Sequence, residues 1–314
     1  MKLSIIIPVY NESESILTLK QEIASIVLKE KISTELIFVN DGSSDNSWEK
    51  IKKIAKKINK YLIVRGISFA RNSGKSNALN EGFIHSRGNV IITMDGDLQD
   101  DPNEILSFYE AIAIDNFDLV SGWKKKRKDP ISKTIPTKIF NWATRLFSGI
   151  SLNDFNCGFK AYKRDVIKNI IVSGEMHRYI PLLVKQKGYN KIGEIVVNHR
   201  SRKHGKSKYG IERFSNGFLD LMTIAFLNKF GKRPMHFFGL LGLISFFIGF
   251  LISFYLAYAK LVYAQYNMTD RPIFYFSLLS MIIGSQFFLS GFLGEMIIRK
   301  RKDNNDSIIE KKGF

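Results

Sequence analysis

Two long uncharged segments near the C-terminus limit what this chain can fold into more than any other feature. Residues 237–259 and 273–294 contain no Asp, Glu, Lys or Arg, and most of their side chains are apolar. As a helix, each segment would be about 33 Å long, which is enough to cross the hydrocarbon core of a bilayer. A pair of buried core helices is the alternative, but adjacent segments of this kind are rare in soluble folds. The sequence therefore predicts a two-helix transmembrane hairpin over 234–298.

Basic residues lie at the ends of this hairpin that face away from its connecting loop. They are Lys229, Lys232 and Arg233 before the first span, and residues 299–302 after the second. The loop 260–272 carries only Lys260 and Arg271. By the positive-inside rule, both termini are expected in the cytoplasm. We therefore predict a multi-pass protein of the cell (inner) membrane whose large N-terminal domain faces the cytoplasm.

The net charge of the chain indicates an anionic partner. The 314 residues include 47 Lys and Arg against 29 Asp and Glu, which gives a formal net charge of +18. Nucleic acid, a phosphorylated ligand and an anionic membrane are the candidates. The predicted spans favour the membrane and argue against nucleic acid. The single cysteine excludes a disulfide scaffold and any multi-cysteine metal site.

The first 125 residues alternate apolar, β-branched runs with helical stretches. Strands are predicted at 3–9, 35–40, 62–69, 90–94 and 117–121. Helices are predicted between them at 13–29, 45–59, 73–86 and 103–114. This alternation predicts an α/β fold in which a mostly parallel sheet has helices on both faces.

A further predicted helix, 131–150, is amphipathic. Its apolar positions are Ile135, Ile139, Trp142, Ala143, Leu146 and Phe147, and its other face carries Lys133, Lys138 and Arg145. Such a helix either lies in the membrane interface or packs on the domain core, and the predicted spans favour the interface. Residues 211–233 have the same character and are predicted to form a juxtamembrane helix.

Polar motifs follow four of the predicted strands. They are Pro8–Glu12, Asn40–Asp45, Arg71–Lys75 and Asp95–Asp100. Ligands of an open parallel sheet bind at the carboxyl ends of its strands, so these motifs are expected at one edge. The sequence has no Walker loop and no G-x-G-x-x-G after a strand, which disfavours P-loop and dinucleotide chemistry.

The pair Asp95 and Asp97 is the sharpest chemical signal. Two carboxylates after a buried strand are hard ligands for Mg²⁺ or Mn²⁺, which complete their shells with phosphate oxygens and water. Such an ion would neutralise a departing diphosphate. Taken alone, Asp-x-Asp is common in surface turns, and Asp41 is typical of an Asn-Asp-Gly turn. The neighbouring motifs are what favour a metal site.

Together these motifs resemble family 2 glycosyltransferases with the GT-A fold. More closely, the chain is similar to the polyprenyl-phosphate group, which contains the dolichyl-phosphate mannosyltransferases and bactoprenol glucosyltransferases. Asp154–Lys160, Gly205–Tyr209 and the two C-terminal spans extend the resemblance over nearly the whole chain. It implies a Rossmann-like GT-A domain at 1–210, the helix 211–233, the hairpin 234–298 and a cytoplasmic tail at 299–314.

The resemblance also implies roles for single residues. The nucleotide would be bound by Pro8, Tyr10, Glu12, Asp41 and Lys75. The metal and the diphosphate would be bound by Asp95, Asp97 and Gln99. Phosphate of the acceptor or donor would be bound by Lys124, Arg200, Arg202, Lys206 and Lys208. Lys124 stands where the family often has arginine, and the last four residues also fit a basic patch that faces the membrane.

Two further residues, Asp154 and His177, have a structural and a catalytic interpretation. Asp154 matches an acidic position that is sometimes proposed as a base. A phosphate monoester with a second pKa of about 6 is already largely dianionic at neutral pH, so we expect Asp154 to position the acceptor or a loop. His177 either assists the reaction or is a satisfied structural histidine, and the second is favoured. Cys157 is expected to be a small buried residue.

The expected reaction is transfer of a sugar from a nucleotide-diphosphate sugar to polyprenyl phosphate, with undecaprenyl phosphate as the acceptor. The resemblance implies a metal-dependent single displacement with inversion, and family frequency favours UDP-glucose and hence a hexosyltransferase. Alternatives are another lipid acceptor, such as a diacylglycerol, or a non-catalytic membrane subunit that binds sugar nucleotide or lipid. A processive synthase is disfavoured because Gln-x-x-Arg-Trp is missing. Bacterial relatives favour a homo-oligomer, such as a tetramer.

Overall fold

The computed structural model describes residues 1–56, 59–125, 131–172, 174, 176–200, 222, 226, 230–231, 233–263 and 267–302. The chain divides into two compact units, Met1–Met222 and Thr223–Phe314. The predicted juxtamembrane helix 211–233 lies almost entirely outside the described residues, and so does the tail after 302. The domain boundaries at 210, 233 and 298 stay predictions.

The first unit is built on a seven-stranded mixed sheet with the order β3-β2-β1-β4-β6-β5-β7. The strands are β1 (Leu3–Val9), β2 (Thr34–Asn40), β3 (Leu62–Ser68), β4 (Val90–Thr93), β5 (Leu119–Trp123), β6 (Lys160–Lys163) and β7 (Ile192–Val196). Strand β6 is antiparallel to β4 and β5, and every other pair of neighbours is parallel. The predicted mostly parallel sheet is confirmed, and the five predicted strands agree with β1 to β5 within two residues at each end.

Nine α-helices connect the strands or follow the sheet in the described residues. They are α1 (Ile16–Lys29), α2 (Ser47–Ala55), α3 (Lys75–His85), α4 (Ile105–Ala113), α5 (Ile131–Ser148), α6 (Arg164–Lys168), α7 (Ile180–Gln186), α8 (Met235–Tyr263) and α9 (Pro272–Lys302). Short 3₁₀ turns occur at Pro102–Glu104, Met176–Tyr179 and Met268–Asp270.

The core lies on both faces of the sheet because the central strands bury side chains in both directions. On one face, Ile5 of β1 packs in a cluster with Leu19 of α1 and Phe108 of α4. On the other face, Ile6 of β1 packs with Phe83 of α3 and with residues of α6 and α7. A Cβ on Gly82 would lie 2.3 Å from the Ile6 side chain, so this glycine lets α3 approach β1 closely.

Helix α5 packs on the first unit and also presents apolar side chains outward. Phe140, Asn141 and Thr144 are buried, and the Asn141 amide donates to the carbonyl oxygen of Asn153 at 2.9 Å. Trp142 and Leu146 point outward with 64% and 66% of their surface exposed. The inner face therefore contacts the domain, and placement of the outer face in the membrane interface stays a prediction.

The second unit contains the hairpin of α8 and α9. Met235–Tyr263 and Pro272–Ile298 are long and apolar enough to cross a membrane. In the most apolar 18-residue stretch of each helix, only 17% is buried. The interpretation as buried core helices is therefore wrong. A Cβ on Gly242 would lie 2.6 Å from the Gly284 carbonyl oxygen, and Ser245 and Ser280 donate to each other's carbonyl oxygens at 2.9 and 2.8 Å. Small residues and interhelical hydrogen bonds are typical of helix packing in membranes.

Candidate active site

The loops after β1, β2 and β4 meet at one edge of the sheet because these strands are parallel neighbours. The Asp41 backbone N–H donates to the Val9 carbonyl oxygen at 2.8 Å, and the Ser44 N–H donates to Asn11 Oδ1 at 2.8 Å. Asn11 has a φ of 52°, a left-handed conformation that asparagine tolerates better than most residues. Ser15 at the start of α1 donates to the Gly96 carbonyl oxygen, which ties α1 to the acidic motif. The predicted meeting of the strand-end motifs is confirmed.

Asp41 organises the loop that carries Lys75. Its Oδ1 accepts a hydrogen bond from the Ser73 N–H at 2.7 Å, and its Oδ2 accepts one from the Gly74 N–H at 3.0 Å. The carboxylate therefore sits at the N-terminus of α3, where negative charge is favourable. Burial raises the pKa of Asp41 although these two hydrogen bonds oppose the shift. Nucleotide binding by Asp41 stays a prediction.

Three other residues of the predicted nucleotide site lie on or just after β1. Pro8 is in β1 and pairs in register with Val39 of β2. The side chain of Tyr10 is exposed. The Glu12 N–H donates to Ser47 Oγ at 3.0 Å, which fixes the loop against the start of α2. Their contacts with a nucleotide stay predictions.

Asp95 lies at the centre of the charged groups at this edge. The Lys75 ammonium contacts its Oδ1 at 2.5 Å. Burial would raise the pKa of Asp95, but the charges of Lys75 and Lys124 hold it well below the usual value for a carboxyl group. Gly158 also lies close to this carboxylate, because a Cβ there would be 2.5 Å from Asp95 Oδ1. Asp95 is therefore an ionised carboxylate fixed in place by its neighbours.

The acidic loop, which we define as residues 95–101, is a tight turn built by its own side chains. The Gln99 N–H donates to Asp97 Oδ1 at 3.1 Å. Leu98, between them, is buried and has a φ of 64°. A left-handed conformation costs a residue without a small polar side chain about 1–2 kcal/mol, so the surrounding contacts must hold this turn in place.

Asp100 supports the acidic loop from behind. Its Oδ2 accepts a hydrogen bond from the Asp95 N–H at 3.1 Å, and its Oδ1 is 2.9 Å from the Lys124 ammonium. Burial would lower the pKa of Lys124, but the charges of Asp100 and Asp95 hold it above the usual lysine value. Lys124 is thus a buried cation paired with the loop, and phosphate binding by it stays a prediction. The sequence analysis assigned no role to Asp100.

The acidic pair fits a divalent cation of the Mg²⁺ or Mn²⁺ class. In the described part of the chain, no group of three or more His, Cys, Asp and Glu side chains converges on one point. Mg²⁺ bound together with a substrate phosphate uses only one or two protein carboxylates and retains water. Asp95 and Asp97, with Gln99 hydrogen-bonded to Asp97 through its backbone N–H, match that requirement and do not match a closed structural site.

The loop 153–158, which carries Asp154, is held by side chains from β5 and β7. Glu194 of β7 accepts hydrogen bonds from the Asn153 and Asp154 N–H groups at 2.8 and 2.9 Å. Ser121 of β5 donates to the Asp154 carbonyl oxygen at 3.2 Å. Asp154 itself is buried and accepts a hydrogen bond from the Asn156 N–H at 3.1 Å. These contacts agree with a positioning role for Asp154, which stays a prediction.

Lys160 of β6 is a buried lysine below this loop. Its ammonium donates to the carbonyl oxygens of Phe155 and Cys157, and burial lowers its pKa. Cys157 is buried as expected, and burial raises the pKa of its thiol to about 12. The sequence analysis gave no role to Lys160 or Glu194. Lys160 is the first residue of the short strand β6, and Glu194 lies inside β7 between apolar residues.

His177 agrees with the structural interpretation. The Ser76 hydroxyl oxygen is 3.1 Å from its Nδ1 and accepts a hydrogen bond from its backbone N–H at 3.0 Å. Burial lowers the pKa of the imidazole well below its usual value, and the nearby charges of Lys75 and Arg178 add to this. His177 is thus a neutral side chain that joins α3 to the 3₁₀ turn at Met176–Tyr179.

Arg200 contacts carboxylates of this chain. Its Nη1 is 2.6 Å from Glu22 Oε2 in α1, and its Nη2 is 2.7 Å from Asp101 Oδ1. Its predicted role as a phosphate ligand stays a prediction. The other predicted phosphate ligands, Arg202, Lys206 and Lys208, lie outside the described residues.

Sequence comparison agrees with this geometry. Residues 4–171 match the profile of Glycosyl transferase family 2. The chain belongs to this family. This glycosyltransferase is 35% identical to dodecaprenyl-phosphate galacturonate synthase of Rhizobium johnstonii, over 100% of this chain and 93% of that protein. It is 34% identical to undecaprenyl-phosphate 4-deoxy-4-formamido-L-arabinose transferase of Shewanella sediminis, over 96% of this chain and 88% of that protein. The resemblance to polyprenyl-phosphate glycosyltransferases is confirmed.

Solved structures confirm the GT-A fold of this glycosyltransferase. The crystal structure of glucosyl-3-phosphoglycerate synthase from Mycobacterium tuberculosis with Mn²⁺ and UDP-glucose has a TM-score of 0.55 and 16% sequence identity. The match covers 72% of this chain and 78% of that one. At this identity the likeness shows the fold alone.

Proposed function

We propose that this glycosyltransferase transfers a sugar from a nucleotide-diphosphate sugar to a polyprenyl phosphate at the cytoplasmic face of the cell membrane. The observation that carries the proposal is the pair Asp95 and Asp97 at the carboxyl edge of the sheet, with Lys75 and Lys124 beside it. Full-length relatives that are named for dodecaprenyl and undecaprenyl phosphate support the acceptor.

The proposed chemistry is one displacement at the anomeric carbon. An oxygen of the acceptor phosphate forms the new bond to this carbon while the bond to the donor diphosphate breaks and the nucleoside diphosphate leaves. Attack from the opposite face inverts the configuration, so an α-linked donor gives a β-linked product. The acceptor oxygen is already anionic at neutral pH, and the reaction therefore needs no proton transfer to Asp154.

Charge neutralisation is the main task of the protein groups in this reaction. The ammonium groups of Lys75 and Lys124 lie next to the acidic loop and oppose the negative charge that develops on the leaving diphosphate. Mg²⁺ or Mn²⁺, held by Asp95, Asp97 and Gln99, would supply further positive charge there. Asp41 contributes by fixing the loop from which Lys75 extends.

For the donor we propose UDP-glucose, which makes the enzyme a hexosyltransferase. The relatives are named for galacturonate and for 4-deoxy-4-formamido-L-arabinose, so the nucleotide derivatives of these two sugars are the competing donors. Full-length protein in nanodiscs, undecaprenyl phosphate and Mn²⁺ should give a lipid product with UDP-glucose whose mass increases by one hexose residue. A product with only one of the other donors would overturn the choice of sugar and leave the class of reaction intact.

The role of the acidic pair is tested with Asp97→Asn, which keeps the shape of the side chain and removes its charge. We expect turnover to fall by at least about a hundredfold and Mn²⁺-dependent binding of UDP to weaken, with an unchanged melting temperature. Asp165→Asn, at an exposed position in α6, is the matched control and should keep wild-type activity. Wild-type rates in Asp97→Asn would remove this residue from the site.

The same assay separates the alternative functions. Transfer to a diacylglycerol in place of undecaprenyl phosphate would show a different lipid acceptor. Binding of nucleotide sugar without turnover for every donor and lipid would show a non-catalytic subunit. A homo-oligomer is also proposed, and native mass spectrometry of the detergent-solubilised protein measures its state directly.

A further inference from the structure

The chain segment 198–200 lies against the acidic loop and forms several contacts with it. The Arg200 N–H donates to the Gln99 carbonyl oxygen at 2.9 Å, and His199 forms an isolated antiparallel bridge with Asp100. The Asn198 amide is 3.4 Å from Asp101 Oδ2. The end of the described domain is therefore hydrogen-bonded to the loop that holds the predicted metal ligands.

The Arg200 side chain extends this contact to a third element. Its two terminal nitrogens bind different carboxylates, Glu22 in α1 and Asp101 in the acidic loop. Asp101 also accepts a hydrogen bond from the Asn103 N–H at 3.1 Å, which fixes it at the start of the 3₁₀ turn that follows the loop. Guanidinium is suited to such a bridge because its donors diverge in one plane, whereas a lysine ammonium is a point charge.

The charges around the acidic loop explain why a bridge of this kind is useful. Four carboxylates, those of Asp95, Asp97, Asp100 and Asp101, lie within seven residues, and Glu22 adds a fifth. Lys75 pairs with Asp95, Lys124 pairs with Asp100, and Arg200 pairs with Asp101. If Arg200 left to bind a substrate phosphate, Glu22 and Asp101 would face each other without the cation between them.

We propose that Arg200 is a positioning residue for the acidic loop and that it does not itself bind the acceptor phosphate. It holds the far end of the loop against α1, and thereby sets the orientation in which Asp97 and Gln99 meet the donor. This deepens the proposed function on which it rests, since it gives Arg200 a role at the donor site that differs from the phosphate binding predicted for Arg202, Lys206 and Lys208.

The two possible roles of Arg200 predict opposite results for Glu22→Gln. If Arg200 positions the acidic loop, loss of the Glu22 charge should resemble loss of Arg200 itself. If Arg200 binds lipid phosphate, Glu22→Gln releases the guanidinium and should leave the KM for undecaprenyl phosphate unchanged or lower it. Glu22 is in α1 and has been assigned no contact with either substrate, so it reports on Arg200 alone.

The experiment uses the full-length protein in nanodiscs and measures two quantities for each variant. Calorimetry gives the affinity for UDP with saturating Mn²⁺, and steady-state kinetics gives the KM for undecaprenyl phosphate. For Arg200→Gln and Glu22→Gln we expect UDP binding to weaken by about tenfold, with a lipid KM within about twofold of wild type. Arg200→Lys, which can pair with one carboxylate but not both, should be intermediate.

Lys163→Gln is the matched control. It breaks the ion pair between Lys163 and Asp118, which is about as exposed as the pair between Arg200 and Asp101 and lies at the edge of the sheet opposite the acidic loop. It should lower the melting temperature as much as the Arg200 variants do, without weakening UDP binding. A tenfold rise of the lipid KM in Arg200→Gln, together with wild-type UDP binding in Glu22→Gln, would overturn the proposal. UDP binding is measured without turnover, so a protein that binds UDP and glycosylates no lipid would refute the proposed function and still test this one.

Discussion

At the scale of single residues, Gly158 lies directly against the carboxylate of Asp95. An alanine Cβ at this position would lie 2.5 Å from Asp95 Oδ1 and 2.6 Å from Cγ and Oδ2, closer than real Cβ contacts allow. We expect Gly158→Ala to displace the Asp95 carboxylate, which is a predicted metal ligand, and to reduce kcat/KM by about 10–100-fold, the size of effect that is typical when support for a metal ligand is disturbed. Turnover and circular dichroism of the purified variant check this.

The control for Gly158→Ala is Cys157→Ala in the same loop. Cys157 is buried, and the hydrogen bond from Lys160 is to its backbone oxygen, so the smaller side chain leaves the loop anchored. This variant should keep activity within a few-fold of wild type. Equal losses in both variants would mean that the loop as a whole, rather than the Asp95 contact, limits the activity.

His177 gives a prediction about pH. Its pKa in the folded protein lies well below the usual value because the imidazole is buried beside Lys75 and Arg178, whereas in the unfolded chain the pKa is about 6.5. As the pH falls below about 6.5, the unfolded state binds a proton that the folded state does not, so the folded state loses stability. Melting temperatures from pH 8 to pH 5 should therefore decrease more steeply for wild type than for His177→Gln.

The positions of the predicted site residues were easier to predict than the residues that hold them in place. Asp95, Asp97 and Lys75 follow strands within about thirty residues of one another, and strand alternation alone places them at one edge. The contact between Glu22 and Arg200 joins positions 178 residues apart, and no local pattern encodes it. The same reason explains why Glu194, which binds Asp154 from 40 residues away, had no predicted role.

At the scale of secondary-structure elements, β1 to β5 could be predicted and β6 and β7 could not. The first five strands contain runs of apolar or β-branched residues. Strand β6 has only four residues, Lys-Ala-Tyr-Lys, and β7 contains Gly193 and Glu194. Strand β6 also lies between β4 and β5 in the sheet, antiparallel to both, so its existence depends on partners far away in the sequence. Contacts with the rest of the domain, rather than local sequence, make β6 and β7 strands, as is often the case for short strands.

Helix α5 allows a direct test of membrane contact. Trp142 and Leu146 are one turn apart on its outward face and are mostly exposed, and tryptophan is favoured at the membrane interface. In a variant that retains only Trp142, with Trp48 and Trp123 changed to Phe, we expect brominated lipids in nanodiscs to quench the fluorescence. A variant that retains only Trp48, which packs against the domain core, should not be quenched. Unquenched Trp142 would show that the helix lies away from the bilayer.

At the scale of the whole molecule, the proposed reaction requires one particular orientation in the membrane. Nucleotide sugars are made in the cytoplasm, so the domain with the acidic loop must face that side. The distribution of Lys and Arg predicts this arrangement, since the basic residues flank the outer ends of α8 and α9 and the connecting loop is poor in them. An even number of spans then places the N-terminal domain and the C-terminus on the same side.

Reporter fusions test this orientation. Green fluorescent protein fused after Lys302 should fluoresce, and alkaline phosphatase fused at the same point should be inactive, because the first folds only in the cytoplasm and the second only outside it. Alkaline phosphatase inserted after Asn267, between α8 and α9, should be active. The reverse pattern would place the acidic loop outside the cell, away from its donor, and would contradict the proposed reaction even if the purified enzyme were active. Adding basic residues to the connecting loop should shift the population towards that reverse pattern, because the Lys and Arg bias sets the orientation.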